Sequence, residues 1–162
     1  MYLNELDHYV KEDLRIKCYI RYVDDFVILS NSRKELEEHW QMIGYFLKFR
    51  LSIDLHSEKT HIIDLKNGVG FLGFRVFYYH KLLKKSNMKK FRTRLERTCR
   101  HFDEKRIEYD NVYDFLEGWI AYSMDADTYN LRNKLLGPLY CKFSGEISTK
   151  EYSRHLRHIN FD

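Results

Sequence analysis

Residues 17–30 read KCYIRYVDDFVILS. Two short runs rich in β-branched and aromatic residues, 17–22 and 26–30, flank Val23-Asp24-Asp25, and that pattern predicts a β-hairpin. The chemistry of its tip is unusual, because hairpin turns favour Asn-Gly or Asp-Gly and this one offers two adjacent carboxylates. Neighbouring like charges repel. Either the tip is a plain solvated turn, or a cation offsets the repulsion; a hard divalent ion such as Mg²⁺ takes carboxylate oxygens and keeps positions for water and phosphate.

Outward from the hairpin, Leu3, Leu6, Val10 and Leu14 recur at helical steps, so a short helix is expected from Asn4, a possible cap, to about Leu14. Downstream, Ser32 with Glu35 in capping-box spacing starts a helix expected to reach Arg50, with Leu36, Trp40, Ile43 and Leu47 on its buried stripe. Leu51, Ile53 and Leu55 alternate as a strand. Thr60 to Leu65 and Val69 to Leu72 flank Lys66-Asn67-Gly68, whose Asn-Gly is a strong hairpin signal, and a strand over 74–79 follows. Beyond it the pattern turns helical: a helix capped by Ser86 or Asn87, one capped by Asn111 and running to about Met124, one from Thr128 to Leu136 before Gly137-Pro138, and a last one opened by Ser148 with Glu151. The fold class is α+β, with a mixed lobe over 1–80 and helices over 81–145 and 146–162.

Composition narrows the function classes. The 162 residues are 44% hydrophobic and 16% aromatic, with one Pro and seven Gly, which excludes a disordered or collagen-like chain. No apolar run approaches the ~20 residues of a membrane span, and the first residues form no signal peptide, so a soluble, cytoplasmic protein without membrane partners is expected. Cys18, Cys99 and Cys141 lie far apart, so neither a disulfide framework nor a zinc knuckle is indicated, and inert or buried thiols are expected. No Gly-rich phosphate loop, Ser-His-Asp spacing or histidine ligand cluster is present; His155 and His158 read as a surface pair. Tyr113, Trp119, Tyr122 and Tyr129 recur at helical steps and read as core.

Charge is unevenly spread. Residues 81–106 hold eleven basic and three acidic side chains, with Phe91, Leu95 and Phe102 interleaved at helical spacing. A basic helix with an apolar seam suits a polyanion, although a solvated face gives the same pattern.

Tyr22-Val23-Asp24-Asp25 in its apolar hairpin resembles the Y-x-D-D hairpin of reverse transcriptases. Three further segments match that family in order: Tyr2 to Asp7 resembles the helix before the catalytic hairpin in bacterial members, Leu55-His56-Ser57-Glu58-Lys59-Thr60 resembles the palm motif that brings a lysine near the triphosphate, and Gly70-Phe71-Leu72-Gly73-Phe74 resembles the F-L-G primer grip. The resemblance is to the bacterial or phage type (group II intron, retron or diversity-generating), over the back of the palm and a thumb.

It implies an RNA-directed DNA polymerase that transfers a nucleotide from dNTP to a primer 3′-hydroxyl on an RNA template, using two Mg²⁺ (or Mn²⁺) ions about 3.5–4 Å apart. Asp24 and Asp25 would be metal ligands and catalytic, with Asp24 the stronger ligand. Lys59 would be catalytic near the triphosphate, or else a solvated lysine. Tyr22 and Val23 would lie beside the primer terminus, and Phe71, Leu72 and Gly73 would place the primer or simply pack. Lys84, Lys85, Lys89, Lys90, Arg92 and Arg94 would hold phosphates of the template–primer duplex. The family's third carboxylate and its fingers have no counterpart here, and Asp7, Asp13 and Asp54 are no obvious substitutes. The chain is therefore expected to be a palm and thumb portion, inactive alone; the alternatives are a subunit of a split polymerase completed in trans by a fingers-bearing chain, or a non-catalytic nucleic-acid-binding remnant.

Overall fold

The computed structural model describes residues 2–159, with side chains to residue 155. It is α+β, and by contacts it divides into two compact units, Met1–Asp64 and Leu65–Asp162. The strands expected to close the first lobe thus group with the helices that follow them. The expected last helix, over 146–162, is described as far as Ile159; His158 and residues 160–162 lie outside the described side chains.

In the first unit the helix α1 (Asn4–His8) runs into a π turn (Tyr9–Asp13). Asn4 lies inside the helix and no side chain caps it. The hairpin follows, β1 (Tyr19–Tyr22) paired antiparallel with β2 (Asp25–Ile28) in the register Tyr19↔Ile28, Arg21↔Phe26, Tyr22↔Asp25. Asp25 is thus the first residue of a strand, and the turn itself is Val23-Asp24. Helix α2 (Arg33–Leu51) begins where Ser32 accepts the Glu35 amide at 3.3 Å, as its capping spacing requires. It buries Ile43, Leu47 and Leu51 against Leu6, Val10 and Ile16. Trp40, expected on this stripe, is exposed, because the core lies against the second half of the helix alone. No strand forms over 51–55 or 60–65 among the described residues.

In the second unit, Asn67-Gly68 does not turn a hairpin. A 3₁₀ turn (Leu65–Asn67) leads through Gly68, at φ +76°, into β3 (Val69–Phe71). The hairpin turn is Leu72-Gly73, between β3 and β4 (Phe74–Val76), and both residues have positive φ, +48° and +85°, the signature of a type I′ turn. A third strand, β5 (Lys81–Leu83), pairs with β4 and was not legible in the sequence.

Helices α3 (Lys85–Asp103), α4 (Tyr109–Met124), α5 (Tyr129–Lys142) and α6 (Thr149–Ile159) complete the unit. Its core is an aromatic stack, Phe91 on Trp119 at 3.9 Å and on Phe115 at 5.5 Å, with Leu83 and Leu136. Lys84, not Ser86 or Asn87, stands at the start of α3. The Asn87 amide instead donates to the Gly73 carbonyl at 3.3 Å and the Tyr122 hydroxyl at 2.9 Å. Asn111 acts from the third position of α4, where it accepts the Glu108 amide. Helix α5 continues through Gly137-Pro138 to Lys142, against the expectation that Pro ends it. Ser148 and Glu151 exchange the two hydrogen bonds of a capping box. Trp119 is buried and Tyr122 packs on Phe74, but Tyr129 is exposed. Cys18 and Cys141 are also exposed, so burial does not account for them.

A Cβ on Gly73 would collide with the Tyr122 hydroxyl and the Asn87 amide, at a φ that side chains rarely adopt. Gly73→Ala is therefore expected to cost about 2 kcal/mol or more, read as a fall in the urea midpoint of the second unit.

Candidate active site and nucleic-acid interface

The hairpin tip is built from the core outward. Register partners share a face of the sheet, so Tyr19, Arg21, Phe26 and Ile28 lie on one side, and Tyr19, Phe26 and Ile28 pack on the core. The other side carries Ile20, Tyr22, Asp25 and Val27; Ile20 and Tyr22 are 56% and 59% exposed. Among the described residues each strand of this two-stranded sheet has one unpaired edge.

Arg21 stands on the core-facing side and needs a partner there. It finds Asp7 on α1: its Nε donates to Oδ1 at 2.8 Å, and its Nη2 pairs with Oδ2. Tyr19 donates to the same Oδ1 at 2.8 Å. The remaining nitrogen, Nη1, donates to the Val23 carbonyl at 2.6 Å. One guanidinium thus ties the first helix to the turn that carries the carboxylates. The Arg21 hydrogen bonds hold the Asp7 carboxyl down at about 2 despite its partial burial. Burial, reinforced by Asp7, pushes the Tyr19 phenol up.

The turn that Arg21 grips is strained. Val23 has φ +56°, a conformation in which a β-branched residue is an outlier and for which glycine is the usual choice in a two-residue hairpin. Val23 and Asp24 are both exposed, as is Asp25. Neither carboxylate has a hydrogen-bond or ion-pair partner among the described residues. Asp7 and Asp54, by contrast, are engaged, by Arg21 and by Lys48 at 3.8 Å.

Adjacent, unpartnered, solvent-facing carboxylates fit a hard divalent cation as two of its oxygen ligands. They do not make a full protein cage: no group of three His, Cys, Asp or Glu suited to a metal occurs among the described residues.

Lys59 lies in the same unit, exposed on a turn in which the Lys59 and Thr60 amides donate to the His56 carbonyl at 3.1 and 3.0 Å. No contact joins it to Asp24 or Asp25. Phe71 is half-buried, Leu72 is 44% exposed at the I′ turn, and the space beside Gly73 is filled by Tyr122 and Asn87.

The six expected phosphate contacts do not form one row. Lys85, Lys89 and Arg92 line an open groove with Leu83, Met88 and Leu131, and Glu96, a carboxylate, lines the same groove. Lys90 and Arg94 lie on another strip of α3, with the Arg94 guanidinium 5.1 Å from the Phe115 ring centre. Lys84 extends over Gly70 of the sheet. None of the six has a carboxylate partner among the described residues, whereas Lys142, Lys150 and Arg154 of the same unit pair with Asp103, Asp114 and Glu117. Unpaired cations beside paired ones mark where a polyanion would gain most.

Residues 1–76 match the family model described as reverse transcriptase (RNA-dependent DNA polymerase). The matched stretch includes α1, the carboxylate hairpin, the Lys59 turn and β3–β4, and over it the chain is similar to that polymerase family. No curated protein matches the chain.

Asp7 and Arg21 escaped the sequence reading as site residues. The signal was there: Arg21 sits two residues from Tyr19 on the inward side of an alternating strand, where a cation requires a carboxylate. Two outcomes are expected. Val23→Gly relieves the positive φ and stabilises the first unit by about 1 kcal/mol, whereas Arg21→Ala destabilises it by about 2 kcal/mol by leaving Asp7 unpaired. Because Asp7 is held below its ordinary value, its contribution is complete above about pH 4 and is lost as pH falls toward 2. Acid titration of the first unit should show this loss, and Asp7→Asn should remove it.

Proposed function

We propose that this chain supplies the back of the palm and the thumb of an RNA-directed DNA polymerase of the bacterial or phage type. The observation that carries the reading is the unpartnered Asp24–Asp25 pair on a gripped hairpin, inside the residues that match the reverse transcriptase model. Residues 1–80 act as palm, 81–145 as thumb and 146–162 as a closing helix. RNA template, DNA primer and dNTP are the partners.

Asp24 and Asp25 hold Mg²⁺ or Mn²⁺ with Asp24 as the principal ligand. A divalent pair bound there supplies activation of the primer 3′-hydroxyl and charge neutralisation at the leaving pyrophosphate. Tyr22 and Val23 border the primer terminus, Lys59 places positive charge at the triphosphate, and Phe71, Leu72 and Gly73 support the primer strand. Lys84, Lys85, Lys89, Lys90, Arg92 and Arg94 engage duplex phosphates without reading sequence.

Two carboxylates without a third ligand among the described residues favour completion of the site by a further carboxylate from a fingers-bearing polypeptide, in the same protein or in trans. The same observation admits a second reading, a nucleic-acid-binding remnant without a working metal site.

The experiment is Asp24→Asn. Mn²⁺ should broaden the NMR signals of the hairpin amides in the wild type and leave them unchanged in the variant. In the polymerase completed with a fingers-bearing chain, the variant should lose primer extension while its affinity for an RNA–DNA duplex stays within about twofold. That affinity should fall steeply with salt, and Lys89→Ala should lower the slope of log K against log salt by about one. Extension that survives Asp24→Asn would overturn the assignment, and wild-type duplex binding with no Mn²⁺ effect would favour the remnant.

A further inference from the structure

From Lys66 to Leu95 the chain carries nine Lys and Arg and no Asp or Glu. This stretch forms β3, β4, β5 and the first half of α3. At the end of the sheet, between β4 and β5, stand Phe77-Tyr78-Tyr79-His80, where turn chemistry would favour Gly, Asn or Asp. Tyr78 is 74% and Tyr79 91% exposed. Nothing among the described residues covers their outer faces; the rings touch each other edge to face, 4.6 Å between centres.

The base of this tip is tied by several contacts. The Phe77 amide donates to the His80 carbonyl at 2.8 Å, and the two rings stack at 4.5 Å and 12°. The Arg75 guanidinium lies 5.5 Å from the Phe77 ring centre and is fixed in turn by the Asn67 carbonyl, which accepts its Nε at 3.0 Å and its Nη2 at 2.6 Å. A Cβ on Gly68 would strike Phe77 and Arg75, so the glycine makes room for this stack. The two tyrosines therefore project from a held base and are not a frayed loop.

We infer that Tyr78 and Tyr79 form a stacking platform for an unpaired nucleobase, and that the chain binds a single-stranded segment of nucleic acid here. This rests on the nucleic-acid-binding reading above and adds a site to it. Aromatic faces bind bases of any sequence, because every base has a π-face, and bases inside a duplex are already stacked and offer none. The charge of the segment that forms the sheet favours phosphates, since it carries cations and no carboxylate. From outside it the exposed Asp127 adjoins the sheet, its amide donating to the Lys81 carbonyl at 2.9 Å. Arg75 is the register partner of both Gly70 and Leu82, so the three share one face of the sheet. Over Gly70 on that face lies the Lys84 side chain, and the strand's backbone would follow these cations.

The test is fluorescence anisotropy with two labelled probes of equal length, a single-stranded oligonucleotide and a blunt duplex. The proteins are wild type, a Tyr78→Ala/Tyr79→Ala variant and a Tyr78→Phe/Tyr79→Phe variant. Loss of the rings should weaken single-strand binding about tenfold or more and leave duplex affinity within about twofold, and the Phe variant should match wild type. Equal single-strand affinity in the Ala variant would overturn the proposal, as would a parallel loss on both probes. So would a wild-type dimer that becomes monomeric on Ala substitution with nucleic-acid binding intact, which would make the tip a contact between copies. If the wild type bound neither probe, the nucleic-acid reading itself would fall, an outcome separate from the loss of the stacking role alone.

Discussion

The first unit depends on one guanidinium. Arg21 spends two nitrogens on Asp7 and the third on the Val23 carbonyl, so a side chain on the core face of β1 determines what the tip of the hairpin does. A bidentate pair with a carboxylate is directional as well as strong, and here the direction is used: with the fork fixed on α1, the remaining donor points at the turn. A two-residue turn with Val at positive φ is a poor choice locally. It persists because the structure on both sides over-determines it, with Tyr19, Phe26 and Ile28 anchored in the core and Arg21 holding the carbonyl. Strain kept in place by its surroundings is characteristic of sites where geometry matters more than stability. The result is that Asp24, in the turn, and Asp25, at the start of β2, are both exposed to solvent at the tip of a short hairpin.

Several acidic groups are engaged, and Asp24 and Asp25 are among those that are not. Asp7, Asp54, Asp103, Asp110, Asp114 and Glu117 are each tied to a cation or to hydroxyl and amide donors. Asp24 and Asp25 have no partner among the described residues, and they differ from other free carboxylates such as Glu5 and Asp13 in being adjacent to each other. Among the cations, Lys142, Lys150 and Arg154 are paired, whereas the six over 84–94 are not. Exposed ion pairs contribute little to folding, so leaving these groups unpaired costs the fold little and keeps their charge available for a ligand. A carboxylate pair and a carboxylate-free basic tract are the two features that the proposed function draws on, the first for a cation and the second for phosphates.

Legibility in the sequence followed the range of the interactions. The spacing of Ser148 and Glu151 predicts a capping box that forms in full, whereas at Ser32 only the serine cap forms, because the Glu35 carboxylate accepts from Ser30 instead; both are decided within a few residues. The carboxylate hairpin was also read, one residue off, since strand alternation around it is strong. Failures came where a distant partner overrides local preference. Asn67-Gly68 has the better hairpin chemistry, yet Leu72-Gly73 turns, because Asn87 and Tyr122 close on Gly73 and the Lys84 amide donates to its carbonyl at 3.0 Å. Pro138 was expected to end a helix that runs on to Lys142, where Phe143, packed with Phe102 and Tyr109, anchors its far end. β5 was invisible because three residues, Lys81-Leu82-Leu83, carry no periodic signal; pairing with β4 makes them a strand.

The same distinction explains why Asp24 and Asp25 could be found from sequence and Arg21 could not. A residue that acts on a ligand is visible by its chemistry, since two carboxylates on an apolar turn violate local preference and demand a reason. A residue that acts through another side chain obeys local preference: Arg in a strand next to Tyr is unremarkable until the inward position is noticed. Tyr78 and Tyr79 belong with the carboxylates in this respect. Two exposed aromatic rings at a tip stand out from usual turn composition as two adjacent carboxylates do, and the contacts among Arg75, Phe77 and His80 support them as Arg21 supports the carboxylate hairpin. At the first tip the residue that enforces the geometry, Arg21, lies on the core-facing side of its strand, whereas at the second Arg75 and His80 are themselves exposed and only Phe77 is half-buried. What the two tips share is that a guanidinium bonded to a backbone carbonyl, Arg21 to Val23 and Arg75 to Asn67, stands beside the exposed groups.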